Sequence, residues 1–343
     1  MDVTAANWAV PDATRAKQLV SMNNQDILNS LIYLAEFVDL DSFLIERISA
    51  ISAGDVACVT PQIYAVHEIL RICAEAGDRA RAEATVTALI DEVSARQDRT
   101  SSSRLLRYGT GYESVIGDAM REVFAKSFGE TYENKYAGRE VVMTTPAVRN
   151  KYLTDDAISL VLDEIKKTDE TLFDEIQVLI NDIIVFDSNG INAATEFNTL
   201  GAIYIRSFMP DSEHWSRIAE HIVHEAAHNL LYQVWLREPI IDDDEGLFYT
   251  PFRQDRRPMS AIFHAMFVLS RTIFSFDRLL SNSASGLSPW DIKSNYNEAN
   301  NAIPFKEKFF QTVKVIEQSN KATDFGKKIL RDCVSLVEHS RNI

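Results

Sequence analysis

A chain of 343 residues with 46% hydrophobic and 25% charged residues can bury a large core and is long enough for two domains. Its formal net charge of −15 argues against a nucleic-acid partner, because phosphate binding needs a basic surface. The opening MDVTAANWAVPDATRAKQLV lacks the basic and apolar regions of a secretory signal, and no uncharged apolar run reaches membrane-spanning length, so no membrane partner and a cytoplasmic location are expected.

Low glycine and proline counts, 12 and 9, together with long amphipathic stretches predict a predominantly α-helical α+β fold. Residues 12–50 carry Leu19, Val20, Ile27, Leu28, Leu31, Ile32, Leu34 and Phe37 at helical spacing. Helices are predicted at 61–76 and 79–97, broken by Gly77-Asp78, and the polar run Gln97–Arg104 reads as a loop. A further helix is expected at 112–127, and an extended VVMTTP follows it. From Asp155 one long helical pattern runs to about Ile180. Two strand-like runs follow, Ile183–Phe186 and Gly201–Ile205, with Asp187–Gly190 as a turn. Pro210–Glu213 reads as a helix start with Asp211 or Ser212 as cap, and the helix then buries Ile218, Ile222, Val223, Ala226, Leu230 and Leu231. This gives an expected helical N-terminal region over 1–140, a candidate for peptide recognition. A metal-binding catalytic domain is expected over 141–343, with a small sheet flanking the last helix named. Cys58, Cys73 and Cys333 have no metal-pair spacing and are expected to be buried thiols.

That helix holds His224-Glu225-Ala226-Ala227-His228, an H-E-x-x-H run. Histidines four apart share one helix face, and their imidazoles can meet at one transition metal with the glutamate beside it. A third ligand must come from elsewhere. The metzincin extension fails, since Leu231 and Val234 stand where glycine and histidine would be. Glu238 and Glu245 lie in the loop-like REPIIDDDEG; the better candidate is His264, in an apolar helix 36 residues beyond His228. His221 and His214 lie close by but are not taken as ligands: His221, three residues before His224, could support the site from behind but is expected to be a partly exposed helix residue, and His67 and His339 are assigned no role. Before His264 the segment Tyr249–Pro258 carries Arg253, Arg256 and Arg257. It reads either as a solvated loop pairing with Asp242, Asp243, Asp244 and Glu245, or as an anion site, since arginine grips carboxylates bidentately.

LGAIYI before the motif, IAEHIVHEAAHNLL around it and YTPFRQDRRPMSAIFHAMFV after it resemble the HEXXH-motif peptide-modification proteins of bacterial biosynthetic clusters. The resemblance runs from about Gly201 to Leu269 and does not reach the first 140 residues. It implies an iron(II)- and 2-oxoglutarate-dependent dioxygenase that uses O2 to hydroxylate a side chain in a ribosomally made precursor peptide. Carried over, His224, His228 and His264 would hold the iron, and Arg257 or Arg253 would grip the 2-oxoglutarate carboxylate. Three histidines depart from the usual two-histidine, one-carboxylate iron site. Glu225 is the remaining candidate catalytic residue. In the alternative reading, a zinc metallopeptidase, it would be the general base for metal-bound water. A third reading is a binding module that keeps a relic motif. Imidazole suits iron and zinc alike, so ligand type does not choose between them.

Overall fold

The computed structural model describes residues 2–52, 54–96, 104–108, 114–130, 143–146, 155–207, 215–250, 255–289, 291–292 and 303–343. About 68% of the described residues are helical, in eleven α-helices beside a small mixed sheet, so the fold is predominantly helical α+β. The chain divides into two compact units, each assembled from more than one stretch: Met1–Thr14, Thr154–Ile176 and Met209–Ile343 form one, Arg15–Leu153 and Gln177–Phe208 the other.

The second of these units is built on helices α1 (Ala13–Phe37), α2 (Ser42–Ser49), α3 (Thr60–Ala76), α4 (Arg79–Arg96) and α5 (Val115–Glu130). The single helical pattern expected over 12–50 is two helices. Asp39 adopts a left-handed φ of 56°, and Asp41 accepts a hydrogen bond from Phe43 N at 2.8 Å to start α2. Gly77 ends α3 at φ 69°, as its place in the sequence predicts. The sheet of this unit orders its strands as β1 (Arg104–Arg107), β3 (Asp182–Ser188), β5 (Ala202–Arg206) and β4 (Ala193–Ala194), and β2 (Met143–Thr144) pairs with β3. β1, β3 and β5 are parallel, so the two predicted strands are neighbours but not a hairpin. Parallel pairing buries both faces, and β3 is correspondingly buried along nearly all its length, with the apolar run Ile183–Phe186 at its centre. Asp182 at its start is fully buried; it accepts from Arg104 Nε at 2.9 Å and from Gln62 Nε2 at 2.5 Å.

The other unit contains α6 (Asp155–Thr168), most of α7 (Glu170–Leu179), α8 (Trp215–Trp235), the hairpin strands β6 (Phe248–Thr250) and β7 (Asp255–Arg257), α9 (Met259–Ser281), α10 (Phe305–Ser319) and α11 (Asp324–His339). The long pattern from Asp155 breaks at Asp169, whose carboxylate accepts from Leu172 N at 3.0 Å and caps α7. α9 packs against α8, α10 and α11, and buries Ile262, Phe263, Phe267 and Phe276. It is the one helix among the described residues long and apolar enough to cross a bilayer by length and composition, although Arg271, Asp277 and Arg278 interrupt it, so it holds no uncharged run of that length. The core helix of a soluble protein meets the same criterion, and 78% of its most apolar stretch is buried inside the protein. The three cysteines are free thiols; Cys73 and Cys333 are buried and Cys58 is half-buried.

Candidate metal centre

Helix α8 sets out a stripe at intervals of four: Glu220, His224, His228 and Tyr232. Residues four apart are stacked on one helix face, so these side chains form a ladder. The ring centroids of His224 and His228 are 5.1 Å apart. His264, in the second turn of α9, meets the middle of the ladder: its Nδ1 lies 3.0 Å from His228 Nδ1. Tyr232 and Trp235 cover it, with ring centroids 4.4 and 5.6 Å away, the indole nearly parallel at 15°.

The sequence pairing of His228 with His264 therefore corresponds to a direct contact between α8 and α9. His264 is buried, and burial drives its imidazole down to about 3, so the ring is neutral at neutral pH. A neutral imidazole is the form that binds metal. Two imidazole nitrogens about 2.0–2.1 Å from one metal at neighbouring positions lie roughly 3 Å apart. The donor chemistry and spacing of His228 and His264 fit a shared metal. The third histidine is differently disposed: His224 turns Nδ1 toward Glu220 Oε1 at 3.3 Å. Among the described residues no group of three or more His, Cys, Asp or Glu side chains is gathered as a metal cluster.

Glu220 was not singled out by sequence, although its position four residues before His224 places it on the motif's own stripe. It is buried; its second oxygen lies 3.4 Å from His221 Nδ1 and 3.7 Å from Arg217 Nη1. Burial alone would raise the carboxyl, but His221, His224 and Arg217 outweigh it and hold it below the usual carboxylate range. His221, expected to be partly exposed, is instead buried where α8 turns that side inward, and desolvation pulls its imidazole down to about 4 against the pull of Glu220. Its Nε2 is buried with no hydrogen-bond partner among the described residues. Glu225 is 3% exposed, so the motif's glutamate lies inside the protein and not on its surface.

The arginine segment is a hairpin where the sequence suggested a loop. Phe248 pairs with Arg257, Tyr249 with Arg256 and Thr250 with Asp255. Alternate residues of a strand share a face, which puts Arg257 beside Asp255: its Nε lies 3.0 Å from both carboxylate oxygens. Arg253 and His214 lie outside the described residues, as do Asp211 and Ser212, the proposed caps of α8. The acidic run expected to pair with the arginines has other contacts. Asp243 pairs with Lys321, and Asp244 accepts from Ser260 N at 2.7 Å, which supports the start of α9. His67 bonds Ser30 Oγ at 2.8 Å, and His339 Nδ1 meets its own helix at Ser335 O, so both have structural contacts remote in sequence from the motif.

No protein-family model matches the chain, and no curated protein matches it. The case for chemistry therefore rests on the arrangement of these side chains.

Proposed function

We propose that this chain is an iron(II)- and 2-oxoglutarate-dependent dioxygenase that hydroxylates a side chain of a ribosomally synthesised precursor peptide in the cytoplasm. The observation that carries the reading is the 3.0 Å meeting of His228 and His264, residues 36 apart in sequence, beside the remaining histidine of the H-E-x-x-H run. The resemblance of the sequence around this run to HEXXH-motif peptide-modification proteins supplies the choice of iron and 2-oxoglutarate.

His224, His228 and His264 would hold the iron. When bound, it supplies the one-electron and oxygen chemistry that side chains lack. The protein's own part is positioning and exclusion of water. Tyr232 and Trp235 pack over His264 and fix its ring. Arg257 already engages a carboxylate side-on through Nε and Nη2, both 3.0 Å from Asp255. That is the donor geometry a 2-oxoglutarate carboxylate requires, and the cosubstrate would exchange with Asp255. Glu225 would lie near the metal, and the N-terminal helices would recognise the peptide.

The test is succinate release after anaerobic iron loading, followed by O2 and 2-oxoglutarate. Succinate formed in proportion to iron is the expected result, and Arg257→Ala should lower it by at least about 100-fold, as loss of a charge-assisted carboxylate contact would. Uptake of zinc alone with no succinate would overturn the proposal. If a peptide is then cleaved, and Arg257→Ala leaves cleavage largely intact, the protein is a zinc metallopeptidase with Glu225 as general base.

A further inference from the structure

Histidines that bind metal through one ring nitrogen are commonly fixed by an acceptor at the other, and the acceptor sets both the tautomer and the direction of the lone pair. In helix α8 such an acceptor stands one turn before the motif. Glu220 Oε1 is 3.3 Å from His224 Nδ1, and the carboxylate is 5% exposed. Its other oxygen is buried and makes no hydrogen bond among the described residues, with His221 Nδ1 at 3.4 Å and Arg217 Nη1 at 3.7 Å as its nearest basic groups. The carboxylate is buried away from water, and neighbouring turns of one helix leave it and His224 little freedom of separation.

We infer that Glu220 is the positioning residue of the metal centre: it holds the Nδ1–H of His224, so that Nε2 is the nitrogen presented to the metal. The inference rests on the metal-site reading above. It separates two carboxylates that the sequence leaves easy to confuse. Glu225, inside the motif, is the candidate for chemistry. Glu220, outside it, acts through His224. It also accounts for the different disposition of the three histidines, since His228 and His264 orient one another whereas His224 has a carboxylate for a partner.

The experiment is a cobalt(II) titration of the full-length metal-free protein, followed by visible absorption and by competition with a chelator. The wild-type protein should take up one equivalent. Glu220→Gln should weaken binding by about 10- to 100-fold, the usual effect of removing such an acceptor. In a His224→Ala background the same substitution should change affinity less than about 2-fold, because the group through which it acts is gone. Equal weakening in both backgrounds would mean that Glu220 merely supports the helix, and unchanged affinity in the single variant would mean that it does nothing for the site; either result overturns the inference. If circular dichroism shows Glu220→Gln unfolded, Glu220→Asp carries the same comparison, since it keeps the charge and withdraws it from His224. Histidine 15N spectra of the metal-free protein give a readout that does not depend on metal. His224 should be the Nδ1–H tautomer in the wild type and should change in Glu220→Gln. Failure of the wild-type protein to bind cobalt would remove the metal reading itself, a result distinct from a failure of Glu220 alone.

Discussion

His264 is a neutral, buried ring held between His228 and the aromatic pair Tyr232 and Trp235. A histidine in an apolar helix is usually a core residue with a satisfied partner. What distinguishes this one is that its partner is another imidazole that belongs to an H-E-x-x-H run. His264→Ala should lower metal affinity by at least about 100-fold, beyond the effect of losing a supporting acceptor. His67→Ala, which removes a histidine bonded to Ser30 and remote in sequence from the motif, should leave it unchanged. Equilibrium dialysis of both variants against cobalt(II) would check this, and equal affinities would remove His264 from the site. Much at this scale was legible in the sequence. The four-residue spacing in α8 marks His224 and His228, and the same spacing carried one step back and one step forward marks Glu220 and Tyr232. The partner of Arg257 was less legible. Asp255 is two residues away, a relation that means nothing in a loop and places both on one face only once the segment is a strand.

At the scale of elements, α9 carries His264 near its start and Arg271 two turns later. Arg271 and Glu175 of α7 form an ion pair, each side chain at most 3% exposed. Arg271 also donates to Ala9 O at 3.0 Å, and Glu175 accepts from Asp12 N at the same distance. One buried pair therefore ties the first residues of the chain to α7 and α9. Removing one partner leaves an uncompensated buried charge, so Arg271→Met should cost about 3–5 kcal/mol. Replacing both, Arg271→Met with Glu175→Leu, should recover much of that loss. Urea unfolding followed by far-UV circular dichroism measures both values, and a double variant as unstable as the single one would show that the pair contributes more than charge compensation. Periodicity located the helical stretches as far as α9 and gave no bounds for α10 and α11. It ran helices together where polar caps divide them: Asp41 and Asp169 each interrupt an apolar pattern that continues on the other side. It also overlooked β1, because RLLR offers too few residues to show an alternation.

At the scale of the whole molecule, the candidate metal ligands and the parallel sheet belong to different compact units. His224, His228, His264 and Arg257 all come from one of them, on α8, α9 and β7; β1, β3 and β5 all lie in the other. A boundary drawn once along the sequence does not describe units in which Met1–Thr14 joins residues after 153, while Gln177–Phe208 joins residues before them. Such pairing across the chain depends on long-range contacts, including the ion pair between Arg271 and Glu175, that local pattern does not encode. This division makes a prediction about where metal acts. A ligand that binds only the folded state stabilises it by about 2.7 kcal/mol at a concentration 100 times its Kd. That energy should appear as slower amide exchange in the elements that hold the ligands. Hydrogen exchange with and without cobalt(II) should therefore show protection gained along α8 and the first half of α9, and none along β3 or β5. In the His264→Ala variant the gain should vanish from both helices together, because both supply ligands to the same metal. Protection that arose in the sheet, or that survived intact on α9 without His264, would place the bound metal away from the histidine ladder.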